Sequence, residues 1–179
     1  MNRFILSFIL VFVCTFLSFG QLEIKANPLG LVLKNIDIGA EYGISQNIGL
    51  GLQPIIDFDR IRLFGETYKS ARFGAILQGK YYFIPKKRID NIYAMLYLKP
   101  IAGNYALENI YSINAVKISM GIGFGYKFVS TNHIVFESNF GYGRALFNKA
   151  YPKIATIDLS TYPYINYDFI LSVMMGYRF

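Results

Sequence analysis

A general base near neutral pH is most simply a histidine, and this chain has one, His133. It stands beside Thr131 and Asn132 in a short polar stretch that reads as a turn, where a lone histidine is expected to be solvated. The rival reading, a lipid-modifying hydrolase, requires His133 to meet a nucleophilic serine and an acid at a lipid boundary. One histidine cannot make a paired-histidine metal site, and no spacing of carboxylates suggests a metal. The one cysteine, Cys14, lies in a hydrophobic leader, so thiolate and disulfide chemistry drop out of the mature chain. Gly121-Ile122-Gly123-Phe124-Gly125 is GxGxG rather than GxGxxG, and no helix pattern follows it. No catalytic residue, metal or cofactor is therefore expected, and the chain reads as a non-enzyme. What remains with chemistry to do is a set of charges: Asp37, Glu41, Asp57, Arg72, Lys80, Lys99, Lys117, Lys127, Glu137, Asp168 and Arg178.

These charges share a phase, not a motif. In Tyr164–Phe179 every second residue from Tyr167 (Phe169, Leu171, Val173, Met175, Tyr177, Phe179) is apolar or aromatic, whereas Asp168, Ser172 and Arg178 fall in the alternate set. A period of two places the two sets on opposite faces of a strand. Segments 22–33, 36–44, 48–58, 70–84, 92–106, 115–129, 134–147 and 164–179 are the eight candidate strands. Pro28 and Pro100 interrupt the first and fifth, since proline donates nothing to a ladder. In 115–129 the even positions from Val116 to Phe128 are apolar, and the odd ones are glycine, serine or lysine.

A soluble sandwich would alternate too, so the connections and the aromatic residues have to decide. Turns at 45–47, 85–91 and 130–133 are short, whereas 59–69, 107–114 and 148–163 are longer. Short and long connections alternate in outer-membrane barrels. Tyr42, Tyr81, Phe83, Tyr126, Phe128, Phe136, Tyr177 and Phe179 would all collect near the short-turn end, as a girdle at a membrane–water boundary does. The expected fold is an all-β, eight-stranded antiparallel transmembrane β-barrel with up-and-down meander topology. The eleven charges then face the lumen, where cations and anions nearly balance and partners across the barrel are expected. They form a charge-paired plug that fixes the barrel, or they line an ion pathway. Inward glycines, among them Gly121, Gly123, Gly125 and Gly141, make room for large side chains from facing strands or leave a narrow cavity.

The N-terminus supplies an address. Met1-Asn2-Arg3, the hydrophobic run Phe4–Phe19 and the small residues Ser18 and Gly20 have the layout of a secretory signal peptide, residues 1–20, with a barrel domain over 21–179. Composition agrees: 54% hydrophobic and 17% aromatic without tryptophan, yet broken into short pieces. With its signal peptide and terminal Tyr177-Arg178-Phe179, the chain resembles the small eight-stranded outer-membrane barrel proteins of Gram-negative bacteria. More narrowly, Lys25-Ala26-Asn27-Pro28 and Glu41-Tyr42 make it similar to an uncharacterised barrel family of Bacteroidota. The resemblance implies a fold and residence in the cell outer membrane, and it brings no activity and no functional residues.

The net charge of +7 sits largely at the ends of the barrel: Arg60, Arg62 and Lys69, Lys149 and Lys153 in outer loops, and Lys86-Lys87-Arg88 in an inner turn. Nucleic-acid binding would need stacking aromatics beside such cations, and here the aromatics belong to the lipid face. The cations offer contacts to outer membrane lipids, including lipopolysaccharide phosphates, or serve as ordinary solvated charge. Tyr151, Ile154, Ile157, Leu159 and Tyr162 suggest an outer loop that meets a surface partner or folds over the barrel mouth. The expected function is a monomeric, non-enzymatic barrel with a structural or surface-interaction role in the envelope. The alternative is a narrow pore for small or apolar solutes, in which neutralising Lys117 and Glu137 together would alter conductance.

Overall fold

Alternation becomes architecture in a computed structural model that describes residues 21–32, 34–63, 66–107, 111–151, 157–158 and 166–179. The expected signal peptide, 1–20, lies outside the described residues. Among the described residues nine strands form: β1 Leu22–Ala26, β2 Asn35–Gly43, β3 Ile48–Leu63, β4 Glu66–Tyr82, β5 Asn91–Leu107, β6 Tyr111–Val129, β7 Ile134–Tyr151, β8 Ile157–Asp158 and β9 Tyr167–Arg178. The helix α1, Pro28–Val32, is five residues long. Every pairing is antiparallel. β1 to β7 join in chain order, β9 follows β7, and β9 returns to β1 through Glu23↔Arg178 to Ala26↔Met175. The result is a closed barrel of eight staves with β8 appended to β7. Closure is complete at the level of β1, Leu22–Ala26; beyond Ala26 the facing edges of β2 and β9 have no strand between them among the described residues.

The two faces of the wall differ as the period of two requires. Outward residues are mostly apolar and exposed, as in Ile122 (69%), Phe124 (64%) and Phe169 (61%), with Ser138 and Arg144 of β7 the polar exceptions among those described in that strand. Inward residues include Glu41, Lys80, Lys127 and Glu137, all buried. The barrel is inside-out relative to a water-soluble fold, in which charge faces solvent and apolar surface is buried.

Four local features depart from the sequence reading. The first candidate strand, 22–33, stops at Ala26. Pro28 lacks an N–H and fixes φ, which suits the first position of a helix better than a ladder, and α1 follows. Gly30 N donates to Asn27 O at 3.1 Å in that first turn. Second, the segments expected as long loops at 59–69 and 107–114 are mostly strand. β3 and β4 run on as a paired ribbon to Leu63↔Glu66, and β5 and β6 to Leu107↔Tyr111. Polar composition hid this, because a hairpin ladder is built from backbone groups whatever the side chains are.

Third, β7 continues to Tyr151, and β8 folds back on it through Lys149↔Asp158 and Ala150↔Ile157. Of the apolar loop tip, Ile154, Leu159 and Tyr162 lie outside the described residues, as does Lys153. Fourth, a bulge sets Ile118↔Phe147 beside Ser119↔Ala145, so Leu146 is extra. Inward phase switches from odd positions such as Glu137 to the even Asn148 across it. The prolines are accommodated by gaps in the ladders. The β2–β3 register steps from Asp37↔Ile55 to Ala40↔Leu52, passing over Pro54. The β4–β5 register steps from Gly74↔Ile101 to Leu77↔Leu98, passing over Pro100.

Candidate functional site: a buried charge cage

Two-residue steps along each strand stack the inward side chains in layers. Near the short turns the layer is ionic. β1 contributes Glu23 and Lys25, β2 Glu41, β4 Lys80, β6 Lys127, β7 Glu137 and β9 Arg178. Each is at most 4% exposed.

Their amines and carboxylates interleave. Lys25 Nζ donates to Glu41 Oε2 at 2.6 Å and to Glu137 Oε2 at 2.5 Å. Lys80 Nζ donates to the same two residues, at 2.7 Å to Glu41 Oε2 and 2.5 Å to Glu137 Oε1. Lys127 Nζ reaches Glu41 Oε1 at 2.7 Å and Glu23 Oε2 at 2.8 Å. Arg178 donates to Glu23 Oε1 from Nε at 2.8 Å. Tyr82 and Tyr93 each give a hydroxyl proton to the cage, at 2.5 Å to Glu41 Oε1 and to Glu137 Oε1 respectively. The same rings lie under ammonium groups, Lys127 over Tyr82 at 4.8 Å and Lys80 over Tyr93 at 4.9 Å. Burying charge is costly unless every ion is paired and hydrogen-bonded, and here four cations and three carboxylates meet that condition together.

The turn 83–90 closes this end. Ile89 is fully buried, and Gly43 leaves the space its side chain fills. Arg178 Nη1 donates to Lys87 O at 2.6 Å and Nη2 to Ile89 O at 3.0 Å, fastening the turn to the cage. Asp90 Oδ1 accepts from the backbone N–H of Lys86 and Lys87, which shapes the turn itself.

Above the cage lies a mostly apolar layer of Ile76, Met95, Tyr97, Ile170 and Met174. A Cβ on Gly121 would stand 2.6 Å from Tyr97 Cζ, and one on Gly125 would stand 2.5 Å from Tyr93 Cζ. The inward glycines are the space into which these rings from β5 fit. The far half of the lumen is polar again and more open. Asp57 pairs with Arg72, and Lys99 Nζ donates to Asp168 Oδ1 at 3.1 Å. Tyr97 Oη donates to Asp168 Oδ2 at 3.1 Å, and Lys117 Nζ donates to Tyr167 O at 2.8 Å. Asp37 Oδ2 accepts from Asn27 Nδ2 at 3.0 Å, and Asn27 Oδ1 accepts from Val173 N at 3.4 Å. Asn27 thereby ties β2 to β9 where β1 has ended.

The eleven charges named from the sequence divide between these layers. Glu41, Lys80, Lys127, Glu137 and Arg178 meet in the cage. Asp37, Asp57, Arg72, Lys99, Lys117 and Asp168 stand at the other end, so Lys117 and Glu137 belong to different layers. Sequence reasoning missed Glu23 and Lys25, and the tyrosines Tyr82, Tyr93 and Tyr97. The signal was available: Glu23 and Lys25 are two apart on β1, and Tyr82 shares the phase of Lys80. Lys25 and Glu41, which come from the two short stretches behind the narrower resemblance, are bonded to each other.

Glu23, Glu41 and Glu137 bring carboxylate oxygens within 4.8 Å of one another, a spacing that could hold a cation. Lysine amines already fill that role, and a divalent ion would have to displace them. His133 occupies a left-handed position (φ 64°) in its turn, its ring 5.9 Å from that of Tyr177.

A sequential eight-stave meander with an ion-paired interior and an apolar exterior defines a small closed β-barrel protein. The chain belongs to the DUF3575 family, proteins of unknown function, whose family model matches residues 5–162. No curated protein matches it.

Proposed function

We propose that the protein is a monomeric, non-enzymatic transmembrane barrel of the Gram-negative cell outer membrane, exported by a cleaved signal peptide. Its role in the envelope is structural or interactive, and its lumen is plugged. The observation that carries this reading is the inside-out wall: a predominantly apolar, aromatic exterior, broken on β7 by Ser138 and Arg144, around an ion-paired interior. Water offers nothing to that exterior, whereas acyl chains do. Tyr81, Phe83, Tyr126, Phe128, Phe136, Tyr177 and Phe179 are exposed at the cage end, where they would anchor in headgroups. Lys86, Lys87 and Arg88 in the turn would meet lipid phosphates, and the extended β3–β4, β5–β6 and β7 ribbons would reach a surface partner or lipopolysaccharide.

The pore reading needs a path, and the cage with its Ile89 turn stands across it. The test has two arms. Protein from isolated outer membranes is run on a gel with and without boiling, where a closed barrel is expected to shift with heat. Recovery in the soluble periplasmic fraction without a shift would sink the membrane assignment. Purified protein is then placed in a planar bilayer. The plug reading expects no steady conductance from the unmodified protein and lower stability from Lys80→Gln with Glu137→Gln. Steady conductance altered by that double change would establish the pore instead.

A further inference from the structure

The open end of the lumen holds a cavity of about 180 Å³, several times the roughly 30 Å³ a water molecule takes in the liquid. Its charges are sorted by side. Asp168, Asp37 and Asp57 come from β9, β2 and β3, which occupy one contiguous arc of the wall with β1 between them. Arg72, Lys99 and Lys117 come from β4, β5 and β6, the facing arc. A cavity with an acidic wall and a basic wall carries a field across it, part of which is taken up by the pairs Asp57–Arg72 and Asp168–Lys99 that span the gap.

One carboxylate on the acidic wall is unfinished. Asp37 is 7% exposed and lines the cavity. Its Oδ2 is held by Asn27, but its Oδ1 has no hydrogen-bond donor. A buried carboxylate oxygen without a donor is costly, and a donor arriving from the cavity would relieve it. An ammonium group is the donor that best suits an anion.

We propose that this cavity binds a small zwitterion of the α-amino acid class. The ligand ammonium donates to Asp37 Oδ1, and its carboxylate faces the arc of Arg72, Lys99 and Lys117. The closed cage beneath makes the site a blind receptor pocket, not a stage of a channel. The binding does not depend on which membrane holds the barrel.

The experiment is calorimetric titration of the folded full-length barrel in a non-ionic maltoside detergent, which contributes no zwitterionic headgroup. L-Alanine is the probe, with acetate and methylammonium as its separate halves. Saturable alanine binding in the millimolar range is expected, about −4 kcal/mol for a 1 mM dissociation constant, with each half at least about tenfold weaker. Asp37→Asn should weaken alanine at least about tenfold while the heat-dependent gel shift persists. Should that variant fail to fold, Lys117→Gln serves: alanine weakens and methylammonium does not. Three outcomes would overturn the proposal: no saturable alanine signal, acetate binding as tightly as alanine, or alanine affinity unchanged in the folded variants.

Discussion

The two ends of the lumen use the same residue types to opposite effect. In the cage, cations and anions alternate in space: each of Glu41 and Glu137 is bonded by both Lys25 and Lys80, so the ions of the layer are satisfied by one another. At the mouth, acids and bases stand on separate arcs, and the Asp57–Arg72 side chains keep 20% and 33% of their exposure. Interleaving satisfies ions among themselves and yields a wall. Segregation pairs Asp57 with Arg72 and Asp168 with Lys99 across the mouth but leaves Asp37 Oδ1 without a donor, and yields a receptive surface. Composition alone cannot distinguish the two. Arrangement around the barrel does.

The strongest way to break the comparison is to remove a hub of the cage. Glu41 accepts from Lys25, Lys80, Lys127 and Tyr82, so Glu41→Ala takes one carboxylate from three buried ammonium groups and leaves Lys25 and Lys80 to Glu137 and Lys127 to Glu23. Breaking a buried ionic network from one side costs about 3–5 kcal/mol. Urea unfolding of the barrel reconstituted in vesicles, followed by the gel shift, should show that loss or failure to fold. A cost near that of a mouth substitution would mean the cage is hydrated and the contrast unreal. A smaller effect is expected one layer up. Gly125→Val places a side chain against Tyr93, an overpacking that costs about 1–3 kcal/mol. Combining it with Tyr93→Ala should return part of that stability, at the expense of the Tyr93–Glu137 hydrogen bond. The same valine at Gly79, whose Cβ would meet nothing within 4 Å, should leave unfolding unchanged.

Why the wall was legible in the sequence and the cage only in part follows from the same geometry. Period-two alternation is local, so β6 from Val116 to Phe128 and β9 from Tyr167 to Phe179 could be assigned without knowing their neighbours. The sequence reading therefore reached a closed eight-stave barrel and the inward phase of Lys80, Lys127 and Glu137. Which inward charges share a layer depends on register between strands, and nothing in a single strand encodes that. Glu23 and Lys25 were not counted among the inward charges because Pro28 blurred the strand that carries them. The extended β3–β4 ribbon was read as loop because Arg60, Arg62 and Lys69 are polar, although backbone pairing is indifferent to polarity. The bulge at Leu146 left no mark at all, since a one-residue insertion looks like ordinary variation in a hydrophobic pattern.

The smallest expected effects lie at the mouth, and there salt sharpens the comparison. Arg72→Gln removes a partly exposed pair, and such pairs contribute about 0–1 kcal/mol. Solvent reaches these side chains, so mobile ions screen them. At 1 M salt the Debye length falls to about 3 Å, comparable to the pair's own separation, and the difference between Arg72→Gln and the unmodified protein should vanish. The cage admits no such screening, because Lys25, Lys80 and Lys127 are enclosed by protein. The cost of Glu41→Ala should therefore be the same at low and high salt. Unfolding curves for both variants at two salt concentrations check this in one series. If the Glu41→Ala cost also faded with salt, ions would have to reach the cage, and a barrel that admits ions to that layer is a conduit, not a plug.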